Sequence, residues 1–251
     1  MDAPRKNPPF VLVAIALIGA AIAAYFALRK PEPAPQPAPV AQPAPAPPRD
    51  EPLPPVDESD ARIRQLLAGV SPKLPPYLGE KGLLERWVQV ANALAEDRSP
   101  REPLSFLAPK RPFTVQQKRT RIFLDPRSYG RYDAFADVVA SVDAKAFADV
   151  VRQLRPLLQG AYRALGAPNP EVDQLASRAL QRLVQAPVVE GPIELKSAGA
   201  LYKYADEKLE ALGAVEKHLL RMGPANEKKI QRKAAEIADA LGLPKVATKQ
   251  Q

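Results

Sequence analysis

Four carboxylates, one imidazole and a run of guanidinium and ammonium groups hold the reactive potential of this 251-residue chain. Asp133 and Asp137 are four residues apart in a helical pattern and so share a face, while Glu190 and Glu194 bracket the turn Gly191-Pro192. Two carboxyl groups at a suitable separation are what hydrolysis of a glycan requires. These four therefore define the reading as a carboxylate-dependent hydrolase of envelope glycan, although no motif around them assigns an acid and a base. His218 is the single histidine, set in AVEKHLLRM without a second imidazole and without a G-x-S-x-G elbow in the chain. It reads as a packed or surface residue. The chain has no cysteine, which excludes disulfides, thiol nucleophiles and Cys-based metal centres. No catalytic residue, metal ligand or cofactor is assigned, and a non-enzymatic role is favoured.

The basic residues are the stronger pointer. Between Arg98 and Arg131 nine basic side chains face only Glu102 and Asp125, a net charge of +7, whereas the whole chain carries +8. Lys118, Arg119, Arg121, Arg127 and Arg131 are the candidate binding residues for an anionic partner, because clustered guanidiniums attract phosphate and carboxylate polymers and anionic headgroups. The plain alternative is a solvated face that keeps the protein in solution. No nucleic-acid-binding motif accompanies the charge. LRMGPANE, residues 220–227, is a second anion candidate, since Pro224 opens a helix whose first N–H groups are free; corner packing is the competing reading.

The elements that carry these residues read as mainly helical, a soluble domain over 57–245 with one or two short β-hairpins. Ser59 is placed to cap a helix over Asp60 to Ala68. Leu83, Leu84, Trp87, Val88, Ala91 and Leu94 recur at helical spacing over Leu83 to Glu96, with Trp87 in the core. Phe113-Thr-Val and Arg121 to Leu124 flank the polar run Gln116 to Thr120, the pattern of a hairpin that displays the basic cluster. Asp125-Pro126 opens a helix expected to reach Ala140. Asp143 caps a helix over Ala144 to about Leu165, kinked at Pro156, and Pro170 to Gln185 forms another. PVVEGPIEL, residues 187–195, reads as a second hairpin or extended pair around Glu190-Gly191-Pro192. Three helices follow, Asp206 to Ala211, Ala214 to Arg221 and Pro224 to Leu241.

Ahead of this domain lie a short basic tail, 1–9, and an uncharged run, 10–28. At about 1.5 Å per residue that run spans roughly 28 Å as a helix, the thickness of a bilayer core. It reads as a retained transmembrane signal-anchor. A cleaved secretory signal ending at Ala21-Ile22-Ala23 is the rival, weakened because apolar character continues through Leu28. Residues 29–56 form a Pro-rich linker, expected as an extended spacer, and 246–251 a disordered tail. The flanking charges, Arg5 and Lys6 against Arg29 and Lys30, balance. The carboxyl-terminal domain is placed outside the cytoplasm as the simpler insertion route. Self-association through Gly19, Ala23 and Ala27 is open, as is docking of a partner on the Pro-rich segment.

The segments LPPVDESDARIRQLLAG, DPRSYGRYDAFADVVASVDA, PVVEGPIEL and YKYADEKLEALGAVEKHLLRMGPANEKKIQ resemble the bacterial family known as domain of unknown function 3014. The resemblance implies one amino-terminal membrane segment, a Pro-rich linker and a Gram-negative envelope setting, hence a location at the inner membrane with the domain in the periplasm. It carries no reaction, ligand or catalytic residue. The expected partners are the lipid bilayer through residues 10–28 and an envelope protein or anionic polymer, with nucleic acid disfavoured.

Overall fold

The computed structural model describes residues 53–166, 171–199 and 201–243. The expected tail 1–9, membrane helix 10–28, the linker as far as residue 52, the tail 246–251 and Pro170 lie outside them. Among the described residues no helix is long and apolar enough to cross a membrane.

The chain is mainly helical, as its periodicity indicates, with one small antiparallel sheet. Helix α1, Val56–Leu67, starts ahead of the expected Asp60, and Ser59 is not its cap: the Ser59 hydroxyl donates to the carbonyl of Val56 at 2.9 Å. Asp60 is buried instead of sitting at the helix entrance. Its two carboxylate oxygens accept from the N–H groups of Gly82 at 2.9 Å and Leu83 at 2.8 Å, where helix α2, Leu83–Ala95, begins. Gly82 has no side chain to cap α2, so the first orphan donors of that helix are satisfied from another helix. Arg64 completes the joint, 3.6 Å from Asp60 and donating to the carbonyls of Leu78 and Glu80.

Strands β1, Val115–Lys118, and β2, Arg121–Leu124, form the expected hairpin, but Gln116, Gln117 and Lys118 belong to the strand and not to the turn. Only Arg119 and Thr120 turn the chain, with Arg119 at φ 55° in the left-handed region. Asp125 then caps a 3₁₀ turn, Pro126–Arg131, accepting from the N–H of Arg127 at 3.0 Å. The helix expected from Pro126 to Ala140 is broken at Tyr132, and α3 covers Asp133–Ala140. The break has a local cause: Ser128 is tied to β1's approach by Thr114 N–H to its Oγ at 2.8 Å and by its own donation to the Thr114 carbonyl at 3.0 Å.

Helix α4, Ala144–Ala164, is capped by Asp143 as expected and runs on through Pro156. Helix α5 is Val172–Gln185. PVVEGPIEL is not a hairpin; its turn joins no strands. The second hairpin lies beyond it, β3 at Glu194–Ala198 and β4 at Leu201–Tyr204. Helices α6, Glu207–Glu210, α7, Ala214–Met222, and α8, Pro224–Leu241, close the fold near their expected bounds. The two hairpins make one sheet in the order β1-β2-β3-β4, joined by Ile122↔Leu195 and Phe123↔Glu194.

Helices α1, α2, α4 and α5 enclose the main core, in which Ile63, Leu84, Val88, Leu154, Leu158 and Leu175 are buried. Trp87 packs at its margin with its ring centroid 5.3 Å from that of Phe147. A second cluster, Leu124, Ile193, Leu195, Tyr204 and Leu220, backs the sheet, and a third, Ala136, Ala186, Val215, Leu219 and Ile230, joins α3, α7 and α8. The α7–α8 corner is tight. A Cβ on Gly223, at φ 82°, would lie 2.3 Å from the Tyr129 ring. Asn226 locks the corner, donating to the carbonyl of Tyr129 and to Asp133 at 2.8 Å.

Glu227 is the one carboxyl here without compensation: it is 1% exposed and neither carboxyl oxygen has a hydrogen-bond partner. Burial disfavours its charged form and pushes it up to about 8.

Asp60→Ala leaves two backbone donors unpaired in the interior and is expected to cost about 2–4 kcal/mol in urea unfolding; a loss near zero would show that α2 needs no cap from α1. Glu227 keeps its proton in the folded state above the pH where the unfolded chain has lost it. Stability therefore falls as pH rises from about 4.5 through 8. Glu227→Gln is expected to flatten that fall and to gain a few kcal/mol above pH 8, at about 1.4 kcal/mol per pKa unit; an unchanged slope would place a partner on this carboxyl.

Candidate functional site

Register decides which side chains share a face of the sheet. Cross-strand partners point the same way and neighbours along a strand alternate. One face therefore carries Val115, Ile122, Leu124, Leu195, Tyr202 and Tyr204, and most of these pack inward. The opposite face carries Lys118, Arg121, Phe123, Glu194, Lys196 and Lys203. On it Lys118 stands opposite Arg121 and Lys196 opposite Lys203, two like-charge cross-strand pairs, with all four side chains exposed. Like charges placed directly opposite each other destabilise a sheet. Phe123 lies between the two ends of β1 and β2 on this face, 5.6 Å from the Lys118 ammonium and 5.1 Å from the Arg121 guanidinium. Glu194 is the single acid among them. It holds Arg121 through two hydrogen bonds, one of 2.8 Å, and its own pKa is drawn below the usual range by that guanidinium.

The five basic residues singled out from the sequence separate. Lys118, Arg119 and Arg121 stay together at the end of the first hairpin, with Arg119 exposed in its turn. Arg127 folds onto the buried Asp125, 2.7 Å away, and that bond holds the Asp125 carboxyl down to about 2. Arg131 lies elsewhere, over the rings of Phe113 at 5.4 Å and Tyr132 at 5.2 Å. Lys196 and Lys203, which complete the cationic face, come from a hairpin seventy residues further on. A sequence signal for them existed in the alternation of ELKSA and LYKY, but not for their pairing with β2.

The four carboxylates of the hydrolase reading are each engaged by a different group. Asp133 accepts from the Asn226 amide, Asp137 from Lys229 at 2.7 Å, Glu190 from Lys228 and Glu194 from Arg121. None of them lines the cavity described next.

That cavity, of about 740 Å³, opens between the packed face of the sheet, α7 and the connection at 100–109. Arg101, Arg131, Arg221 and His218 reach it, over a surface that includes Leu124, Phe135, Leu195 and Met222. None of the three guanidiniums pairs with a carboxylate among the described residues. His218 Nε2 lies 2.7 Å from the Ser99 hydroxyl. Burial first, and then the charges of Arg221 and Arg101, push this imidazole down to about 4. Sequence reading gives His218 as a packed or surface residue, because Ser99 and Arg101 lie more than a hundred residues away in the chain and only Arg221 is near it. Among the described residues no group of His, Asp and Glu could hold a metal ion.

Residues 83–238 match a family model described as a protein of unknown function, DUF3014. The match takes in the sheet and the cavity and begins at Leu83, so α1 lies outside it. No curated protein and no solved structure matches the chain.

The electrostatics of the cavity are open to a direct check, because the chain has one histidine. Its imidazole is expected to titrate near 4 in the folded protein. The unfolded chain takes up that proton at about 6.5, so His218 contributes a loss of stability as pH falls from 6.5 towards 4. Arg221→Gln is expected to raise the midpoint while leaving it below 6.5, since burial persists. A midpoint at 6.5 in the wild-type imidazole spectrum would show that the cavity is wet and its cations screened.

Proposed function

The chain belongs to the DUF3014 family, and on that premise we propose that it is a membrane-tethered binding module of the bacterial envelope. The anchor read at residues 10–28 and the Pro-rich linker at 29–56 hold the domain away from the inner membrane on its periplasmic side. Its recognition surface is the cationic face of the sheet, with an anionic envelope polymer as the partner. Lys118, Arg119 and Arg121 supply one half of that surface and Lys196 and Lys203 the other.

One observation supports this reading above the rest. Two like-charge cross-strand pairs stand on a single exposed face with one acid between them. A sheet selected for stability alone would place opposite charges there. Repulsion within the free protein is relieved when a polyanion lies across the strands, which makes the face a site for multivalent and salt-sensitive attachment. An open sheet face suits an extended polymer, and each of the four candidate carboxylates is engaged by another group.

Co-sedimentation of the full-length chain in nanodiscs with purified bacterial sacculi checks the surface. Binding is expected at low salt and to weaken as salt rises. Lys196→Glu with Lys203→Glu is expected to reduce it about tenfold with folding unchanged. Equal binding by this variant and the wild type would remove the face as the site. Alkaline phosphatase fused after Gln251 is expected to be active and a cytoplasm-only fluorophore at the same place dark; the reverse pair of results would reject the periplasmic placement.

A further inference from the structure

The cavity behind the sheet has a lining of two chemical kinds, which goes beyond the sheet-face reading. Its lining includes Arg101, Arg131 and Arg221, none with a carboxylate partner among the described residues, and Arg101 and Arg221 both act on His218. Arg131 is held in place without being neutralised: its guanidinium lies over Phe113 and Tyr132, and its Nε donates to the carbonyl of Ser128 at 2.9 Å. The rest of the wall is aliphatic and aromatic, including Leu104, Leu107, Phe135 and Met222. The rim is apolar as well. Leu201 is 73% exposed, and Tyr202 and Phe113, whose rings are 6.0 Å apart, are exposed beside it. These three are half of the large hydrophobic side chains that the described residues leave open to water.

Neither half accounts for the other within the free protein. Cations without acids have no neutralising partner in the free protein, and the uncovered apolar rim is wetted at a cost. A purely inorganic anion would satisfy the cations and leave the rim wet. A neutral hydrocarbon would cover the rim and leave the cations unmatched. We infer that the cavity binds an amphipathic anion, a phosphate or carboxylate head joined to a hydrocarbon body. The head sits against Arg101, Arg131 and Arg221, and the body lies along the apolar wall and emerges past Leu201 and Tyr202. Its volume is within the range of about 300–1,000 Å³ found for small-molecule sites. Guanidinium forks match either head group through paired hydrogen bonds. The same chemistry comes from two sources, a dissolved single-chain amphiphile or the anionic lipid of a membrane.

The single histidine reports on the site. The full-length chain, labelled at histidine and held in nanodiscs of phosphatidylcholine, is titrated with octyl phosphate, inorganic phosphate and octanol while the His218 signal is followed. Octyl phosphate is expected to shift the signal to saturation and to raise its titration midpoint, because an anion beside Arg101 and Arg221 cancels part of their field. Inorganic phosphate and octanol are expected to bind about tenfold or more weakly. Arg101→Gln with Arg221→Gln is expected to abolish the difference between octyl phosphate and octanol, and the fluorescence of Trp87, which packs at the margin of the helical core, checks that this variant is folded. Lys196→Glu with Lys203→Glu is expected to leave octyl phosphate binding unchanged, which separates this site from the sheet face. Equal affinities for octyl phosphate and inorganic phosphate would overturn the role of the apolar wall. Equal affinities for octyl phosphate and octanol would overturn that of the guanidiniums, and no shift with any probe would overturn the site. Replacing part of the disc lipid by phosphatidylglycerol distinguishes the sources: a His218 shift without added probe supports a bilayer lipid, and its absence together with octyl phosphate binding supports a dissolved amphiphile.

Discussion

The pairing of β2 with β3 is the constraint on which the functional surfaces depend. It rests on Ile122↔Leu195 and Phe123↔Glu194, together with the Leu124 N–H donating to the Ile193 carbonyl at 2.9 Å. Each hairpin alone is a two-stranded ribbon that is marginal in water. Joined, they bury Leu124, Leu195 and Tyr204 on one side and bring Lys118 and Arg121 into line with Lys196 and Lys203 on the other. A slip of one residue would exchange the two faces, exposing the apolar row and driving lysines into the core. The burial of Leu195 and Tyr204 therefore fixes where the cations stand.

Carboxylates supplied from a distance organise the helical part in a comparable way. Asp60 satisfies the start of α2, and Asp97, at the end of α2, accepts from the N–H of Val215 at 3.1 Å at the start of α7. Both helices follow a glycine, Gly82 or Gly213, that has no side chain to serve as its own cap. At Gly213 the approach is so close that a Cβ would meet the Asp97 carboxylate at 1.8 Å. Helix entry and tertiary docking are thus one event, and α7, which carries His218 and Arg221 to the cavity, is set in place by the helix before the basic segment. Asp125 extends the pattern to the sheet. Fully buried, it takes donors from Arg127 and from Gln116 at 3.1 Å and so links β1, β2 and the 3₁₀ turn. Glu227 is the exception, a carboxyl buried with no donor at all and stable there in its neutral form.

Positive charge is consequently divided between two surfaces with different surroundings. On the open face of the sheet the lysines are exposed, a geometry for long and variable anions. In the cavity the guanidiniums are fewer, and Arg131 is set against aromatic rings, a geometry for one anion of defined shape. Arg131 marks the division. It adjoins the basic hairpin in sequence, yet its stacking between Phe113 and Tyr132 turns it to the other side of the sheet.

Local rules made much of the fold readable in the residues. The helical period located α2, α4, α5, α7 and α8, Asp143 acted as the cap its position suggests, and the polar run after Val115 marked the first hairpin. Those signals lie within a few residues of the structures they specify, so a linear reading captures them. The second hairpin was misplaced because Gly191-Pro192 is a strong turn signal that joins no strands, while the true turn follows ELKSA. Ser59 and Asp60 were misread as a helix entrance because nothing near them in the chain shows that Gly82 needs an acceptor. The reach of the basic cluster was legible, but its division was not: a net charge is a sum over sequence, whereas the pairing of Arg127 with Asp125, the stacking of Arg131 and the arrival of Lys196 and Lys203 are relations between distant segments. Residue types and short spacings fix helices, turns and total charge, because those depend on neighbours along the chain. Which charges face water, which face the cavity and which are cancelled depends on strand register and on docking across more than seventy residues, and those exist only once the chain has folded.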